Sequence, residues 1–480
     1  MIPRILAGFA LVCCMLTPVI AQQPDWQRLS AAHDVDTMQI RWLQTNLTPV
    51  EASTVLARVN ALSKPAVAQM LPTFFYLDGR ILSRSGKAYA DSFMVRPGDD
   101  TAGIVRVAYF AAKMRHALLD AYKSTTYSAS FDDRPIVIPG YVNISAAAAQ
   151  RVAHTGIKLG FDFGPADTLM AIVSTPDISQ AEVLPRISTH PFDALIQHHS
   201  QSFYPIPLSR ELLAANLAAA ASNRPLDQLY AYANPMGLLH YVDVRNNRVQ
   251  YRMLLDTLKQ HEPQIVQYIA SKVADYMPAD LELTRNVSFF FVDWSDGWGA
   301  SDVTAVDLEY YKGDVDRLIN TQLHETFHAA QHSVTSARGW RKANIASAAD
   351  SALDEAATDL IIEGTANFVA PTVTRTAASA DSMAQRGEAL LEQLVALAKA
   401  PQYDRARARK ILDEGVSGGG PFYWLGSAMA KTIVDQLGAR ALAETFRKDG
   451  IEYVRTYEKA KGSRLNADVR QAFGQLKSMG

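Results

Sequence analysis

Cysteine is almost missing from this chain. Its 480 residues contain two, the adjacent Cys13 and Cys14 near the start. An adjacent pair makes no disulfide framework and matches none of the cysteine spacings of a zinc site. A long apolar run is missing too, outside the first residues. With a mean hydropathy of −0.06, that excludes a polytopic membrane protein. Neither sign of charge dominates: 47 Lys and Arg stand against 49 Asp and Glu, a formal charge of −2. That balance argues against a broad nucleic-acid-binding surface and against an acidic solvating tail. No repeat of fixed period is present, and the only biased stretches are Ala-rich and helical in character.

What is present is a globular balance, with 48% hydrophobic and 20% charged residues. The length exceeds one ordinary core, so two or three domains or lobes are expected. Residues 1–21 read as a secretory signal. Arg4 supplies the positive start, and Ile5 to Leu16 form an apolar stretch too short to span a bilayer comfortably. Pro18 breaks it, and Val19-Ile20-Ala21 offers a small-residue cleavage pattern. A retained anchor helix is the alternative. A lipoprotein site would need a small residue before Cys13 or Cys14, and neither has one. Export to a periplasm or to the outside is therefore expected, with no membrane span in the mature chain. That chain would hold no cysteine, so any zinc site must draw on His, Asp or Glu.

The hydrophobic pattern places helices over about 25–70, 103–123, 208–221 and 245–275. Breaks are expected at Pro65, Pro72 and Pro263. Extended segments are expected around residues 135–140 and near Leu169 to Ser174. From Asn286 the character changes. Val287 to Val292 reads as an aromatic-rich strand and Val303 to Tyr310 as a second. Helices follow over about 315–333 and 349–370, the latter stopped by Pro371, and near 382–400, 423–437 and 439–447. A boundary near 250 separates an N-terminal mixed region (22–250), read as a substrate-recognition lobe or cleft wall, from a C-terminal half (251–480). The fold class expected is α+β, mainly helical, with a small sheet.

The segment that carries chemistry is His324-Glu325-Thr326-Phe327-His328. Residues four apart on a helix share one face, one turn apart. Two imidazoles can there address one metal ion. Glu325 lies about 100° round the helix from His324, beside the metal, where a general base belongs. The alternative, an ordinary helix with unrelated histidines, is weakened by the flanking Leu318, Ile319, Leu323, Phe327 and Ala330, which mark a core-packed helix.

A catalytic zinc takes three protein ligands. A third histidine in the metzincin pattern fails, because Gln331 and Val334 stand where Gly and His are required. His332 lies about 12 Å along the helix from His324, too far to share the ion easily. The better candidate is Glu363, in Glu363-Gly364-Thr365-Ala366 on the next helix. Small residues there (Ala352, Ala356, Ala366, Ala370) suit close approach to the histidine helix. Gly364, costly in a helix by about 1 kcal/mol, points to a close packing contact. The plainer alternative is a solvated acidic face made by Glu355, Asp359 and Glu363. Three further features read as structural: His261-Glu262 before Pro263, the consecutive His198-His199, and His190 before Pro191.

HExxH followed by EGxA on the next long helix resembles the gluzincin metallopeptidases, the thermolysin-like superfamily. More narrowly it is similar to poorly characterised bacterial zinc-dependent peptidases with the EGxA form. The likeness is firm over about 286–370, weaker to 480 and absent before 250. It implies a zinc peptidase with His324, His328 and Glu363 as ligands and Glu325 as general base. It also implies a sheet whose edge strand pairs with the substrate backbone. Val303 to Tyr310, or the Trp298-Gly299-Ala300 lead-in, would fill that role. Tyr423 is the candidate for oxyanion stabilisation, with an aromatic core anchor as the alternative. Thermolysin-like enzymes carry an Asp four residues after the ligand Glu, bonded to the first histidine. Here Asn367 stands in that place, so Asn367 or Asp359 is expected to take the bond. The function expected is hydrolysis of peptide or protein substrates. The alternatives are a zinc-binding but inactive homologue acting as a binding module, a non-peptide hydrolase on the same site, and a metal-free helical interaction protein.

Overall fold

A computed structural model describes residues 37–46, 131, 135–201, 210–222, 235–291, 297–299, 303–338, 347–371, 376–460 and 463–476. The N-terminal segment read as a signal and the expected helix over 103–123 lie outside the described residues. Among the described residues no helix is long and apolar enough to cross a membrane.

The architecture is mainly helical around one four-stranded mixed sheet, as the composition and periodicity suggest. The strands are β1 (Gly156–Asp162), β2 (Glu282–Phe290), β3 (Gly297–Gly299) and β4 (Thr304–Asp307), in spatial order β1-β2-β4-β3. β1, β2 and β4 run parallel, and β3 runs antiparallel to β4. β3 is therefore an edge of the sheet, and β4 is flanked on both sides. β1 comes from well before position 250 yet pairs along its whole length with β2.

Two strand expectations need correction. The apolar run near Leu169 is part of a helix, α1 (Gly164–Val173), with Leu169, Met170, Ile172 and Val173 buried. A short apolar run fits a buried helix as well as a strand, and periodicity alone does not separate them. The strand lies just before it, where Ile157, Leu159 and Phe161 alternate. Residues 135–139 form no strand, and a single 3-10 turn, Gly140–Val142, follows them. The second strand expected over Val303 to Tyr310 is only four residues long. Asp307 ends it by capping the helical turn Leu308–Tyr311 through the Glu309 backbone N–H at 2.8 Å.

Between β1 and β2 the chain forms α2 (His190–Gln201), α3 (Arg210–Ala221), α4 (Pro235–Asn246), α5 (Arg248–Gln260) and α6 (Glu262–Tyr276). Pro263 sits in the first turn of α6, where its missing N–H is harmless. After β4 come α7 (Leu308–Tyr311), α8 (Val315–Arg338), α9 (Ala348–Val369), α10 (Ala377–Lys399), α11 (Arg405–Val416), α12 (Pro421–Leu437), α13 (Ala439–Thr445), α14 (Gly450–Lys459) and α15 (Ala467–Gln475). α8 packs on β2, β3 and β4 through Leu318, Ile319, Leu323, Phe327 and Ala330, all fully or nearly fully buried. α9 is the hub of the second half, packed by α8, α10, α11, α12 and α14. Ser347 caps it at the start, and Pro371 follows its last turn.

Glycine sets the closest approach. A Cβ on Gly364 would lie 2.4 Å from the Gly426 Cα, so α9 and α12 touch backbone to backbone. The close packing contact expected at Gly364 is thus made with α12.

Candidate metal centre

The HExxH segment lies in the middle of α8, with helix on both sides to hold its backbone. Phe327 and Leu323 anchor the core face. That turns His324 and His328 together toward α9. Their Nε2 atoms are 3.0 Å apart. From α9 the Glu363 carboxylate meets them: its Oε2 is 3.3 Å from His328 Nε2 and 3.8 Å from His324 Nε2. His324 is buried, and His328 and Glu363 are partly so.

Each imidazole is also held from its other nitrogen. His324 Nδ1–H donates to the Ala370 carbonyl at 2.9 Å, at the end of α9. His328 Nδ1–H donates to Gln331 Oε1 at 2.8 Å. A carbonyl oxygen can only accept, so both Nδ1 atoms carry protons. Both Nε2 atoms then face Glu363 as acceptors. Three acceptors around one point repel unless a cation or a proton sits among them. The cluster favours the protonated form of His328. Burial lowers its pKa, but the bonded Glu363 carboxylate, with Glu325 and Gln331 behind it, overrides that and raises it to about 9. Burial likewise pushes the Glu363 carboxyl up, and the two imidazoles bring it well below the usual range.

The donor set fits zinc. Nitrogen and oxygen donors about 2.0–2.1 Å from a tetrahedral zinc lie about 3.3 Å from one another. The observed separations of 3.0, 3.3 and 3.8 Å bracket that value. Two neutral imidazoles and a carboxylate are also the donors a catalytic zinc uses. His324, Glu325 and His328 each offer a ligand atom, all within 4.8 Å of one another. Glu325 is half-buried. Its Cγ is 3.3 Å from where a Cβ on Gly297 would stand. β3 therefore passes directly against Glu325, and Gly297 makes room for it.

Other sequence expectations fall differently. Asn367 does not receive the His324 proton. Its Nδ2 donates to the Tyr423 carbonyl at 3.4 Å, while the Ala370 carbonyl takes the imidazole. Asp359 has no bond to either histidine. Burial, then Glu355 and Glu363, raise its pKa to about 7. His332 continues α8 and is exposed, outside the donor triangle. Tyr423 is in the first turn of α12, half-buried, its backbone tied to Asn367 one turn beyond Glu363. His198 stacks on Trp298 of β3, ring centroids 4.2 Å apart. Burial lowers its pKa to about 4.

Sequence reasoning missed Gln331, which entered only as a break in the metzincin pattern. The available signal was an amide three residues after a ligand histidine on the same helix face. The two segments considered for the edge strand take different places in the sheet. β4 is interior and β3, carrying Trp298 between Gly297 and Gly299, borders the site.

No curated protein and no solved structure matches the chain. Residues 187–463, more than half of the chain and including every residue of the donor cluster, match one family, and the chain belongs to it: "Putative zinc dependent peptidase (DUF5700)".

Proposed function

We propose that this chain is an exported zinc metallopeptidase of the gluzincin type. The single observation that carries the reading is the meeting of His324 Nε2, His328 Nε2 and Glu363 Oε2 around one point. These three residues would hold the zinc. Bound zinc supplies Lewis acidity toward a water and toward the scissile carbonyl. Glu325 accepts the proton of the attacking water and returns it to the leaving amine. An extended peptide adds to the outer edge of β3, which brings its backbone alongside Glu325. Tyr423 is the hydrogen-bond donor to the oxyanion. The region before position 250 forms one wall of the cleft. Export rests on the Arg4 and Ile5 to Leu16 pattern, which fits a periplasmic or secreted enzyme.

The test is zinc per chain by elemental mass spectrometry, on protein prepared without chelator or nickel, together with hydrolysis of a peptide library. Wild type and Glu325→Gln should each hold about one zinc. Glu363→Ala should lose most of it. Glu325→Gln should lower turnover by about 10²–10⁴-fold. No zinc after reconstitution would sink the reading. Zinc without turnover on peptides would replace it with an inactive binding module or a hydrolase of another substrate class.

A further inference from the structure

Gln331 is fully buried on α8, and both ends of its amide are used. Its Nε2 donates to the Ile362 carbonyl at 2.9 Å and to Thr365 Oγ1 at 2.8 Å, both on α9. The Thr365 hydroxyl spends its own hydrogen on the Ile361 carbonyl, so toward Gln331 it can only accept. Two acceptors on α9 require the nitrogen end of the amide on that side. The oxygen end is left for His328 Nδ1–H. Reversing the amide would place two N–H groups against Nδ1. It would force the other tautomer and aim an N–H from Nε2 into the donor triangle. The bonds from Thr365 outward thus determine which nitrogen of His328 is free.

We propose that Gln331 is a positioning residue for the metal. It selects Nε2 as the ligating nitrogen of His328, and it ties the helix bearing His328 to the helix bearing Glu363. This rests on the zinc reading above. A carboxylate could not do the same work, because its second oxygen would face the Ile362 carbonyl and Thr365 Oγ1 with no hydrogen to give. The amide is therefore specific, although carboxylates are frequent partners of zinc-bound histidines.

The test uses the full chain as Gln331→Met, Thr365→Val and the double variant. Zinc affinity is read by competition with a fluorescent chelator. Histidine-selective nitrogen NMR of the zinc-loaded protein reads the tautomer, and thermal melts of the metal-free protein read the fold. Gln331→Met should weaken zinc binding by about 10–100-fold and remove the protected Nδ1–H resonance of His328. Thr365→Val, which touches no ligand, should weaken binding in the same direction by less. The double variant should be no worse than Gln331→Met alone, because both changes act through one bond. Unchanged zinc affinity in Gln331→Met, whatever its melting temperature, overturns the proposal. So does full additivity in the double variant. If Gln331→Met fails to fold, Thr365→Val decides alone, and unchanged affinity there is the overturning result. If the wild type binds no zinc, the zinc reading itself falls and this inference with it. If the wild type binds and the variants match it, only the inference falls.

Discussion

The Gly364–Gly426 crossing makes a prediction whose sign opposes the usual rule. Gly→Ala inside a helix normally stabilises by about 1 kcal/mol. At Gly364 the added Cβ would lie 2.4 Å from the Gly426 Cα, 2.7 Å from its carbonyl carbon and 3.1 Å from the Ser427 nitrogen. Carbon–carbon contacts settle near 3.5 Å, so α9 and α12 must separate locally by about 1 Å. All three atoms are backbone, and no rotamer change relieves them. Overpacking of this kind costs about 1–3 kcal/mol or more. Held rigidly by α14 on the same hub, the site should fall at the upper end. Gly364→Ala should therefore destabilise by about 1–2 kcal/mol net of the helix gain. The assay is chemical denaturation of the metal-free protein, with zinc affinity measured in parallel, since Glu363 is the preceding residue. Gly426→Ala is the companion, because its Cβ would lie 2.2 Å from the Leu360 carbonyl oxygen and 2.7 Å from the Gly364 Cα. The double variant should lose less than the sum, since one separation relieves both clashes. A Gly364→Ala protein more stable than wild type would refute the crossing.

Two more outcomes can be measured directly. The Tyr453 hydroxyl donates to the Gly426 carbonyl at 2.6 Å in a fully buried setting, so Tyr453→Phe should lower stability by about 1–1.5 kcal/mol, read by urea midpoint, and an unchanged midpoint would contradict it. His198 is held neutral by burial, with its pKa lowered to about 4; the unfolded chain takes up that proton near pH 6.5, so stability falls as pH drops from about 6.5 toward 4 and the loss levels off below. His198→Phe keeps an aromatic ring on Trp298 and should flatten that limb of the stability–pH curve; an unaltered limb would show that other groups cause it.

The candidate site residues on α8 were legible because their spacing is a helical constraint. Positions 324 and 328 must share a face once residues 315–338 are helical, and Phe327 and Leu323 say which face is buried. Glu363 was legible more weakly, through its small neighbours, and the sequence did not say that the close contact at Gly364 would be with α12. The polypeptide pattern alone also gave the mainly helical class and a strand over Val287 to Val292, which overlaps β2. Other features rested on partners distant in the chain. The strand at 156–162 alternates locally at Ile157, Leu159 and Phe161, but its pairing with 282–288 joins segments more than a hundred residues apart. Which strand forms the edge was decided by order in the sheet, where β3 lies outside β4 although it precedes it in sequence. The partner of His324 is a backbone carbonyl at Ala370, which has no side-chain signature to read. Gln331 became informative only when α9 supplied two acceptors for its nitrogen. Helical periodicity is a local property and is written along the chain; a hydrogen-bond partner or a sheet neighbour is set by the packing of separate segments, which only the tertiary structure decides.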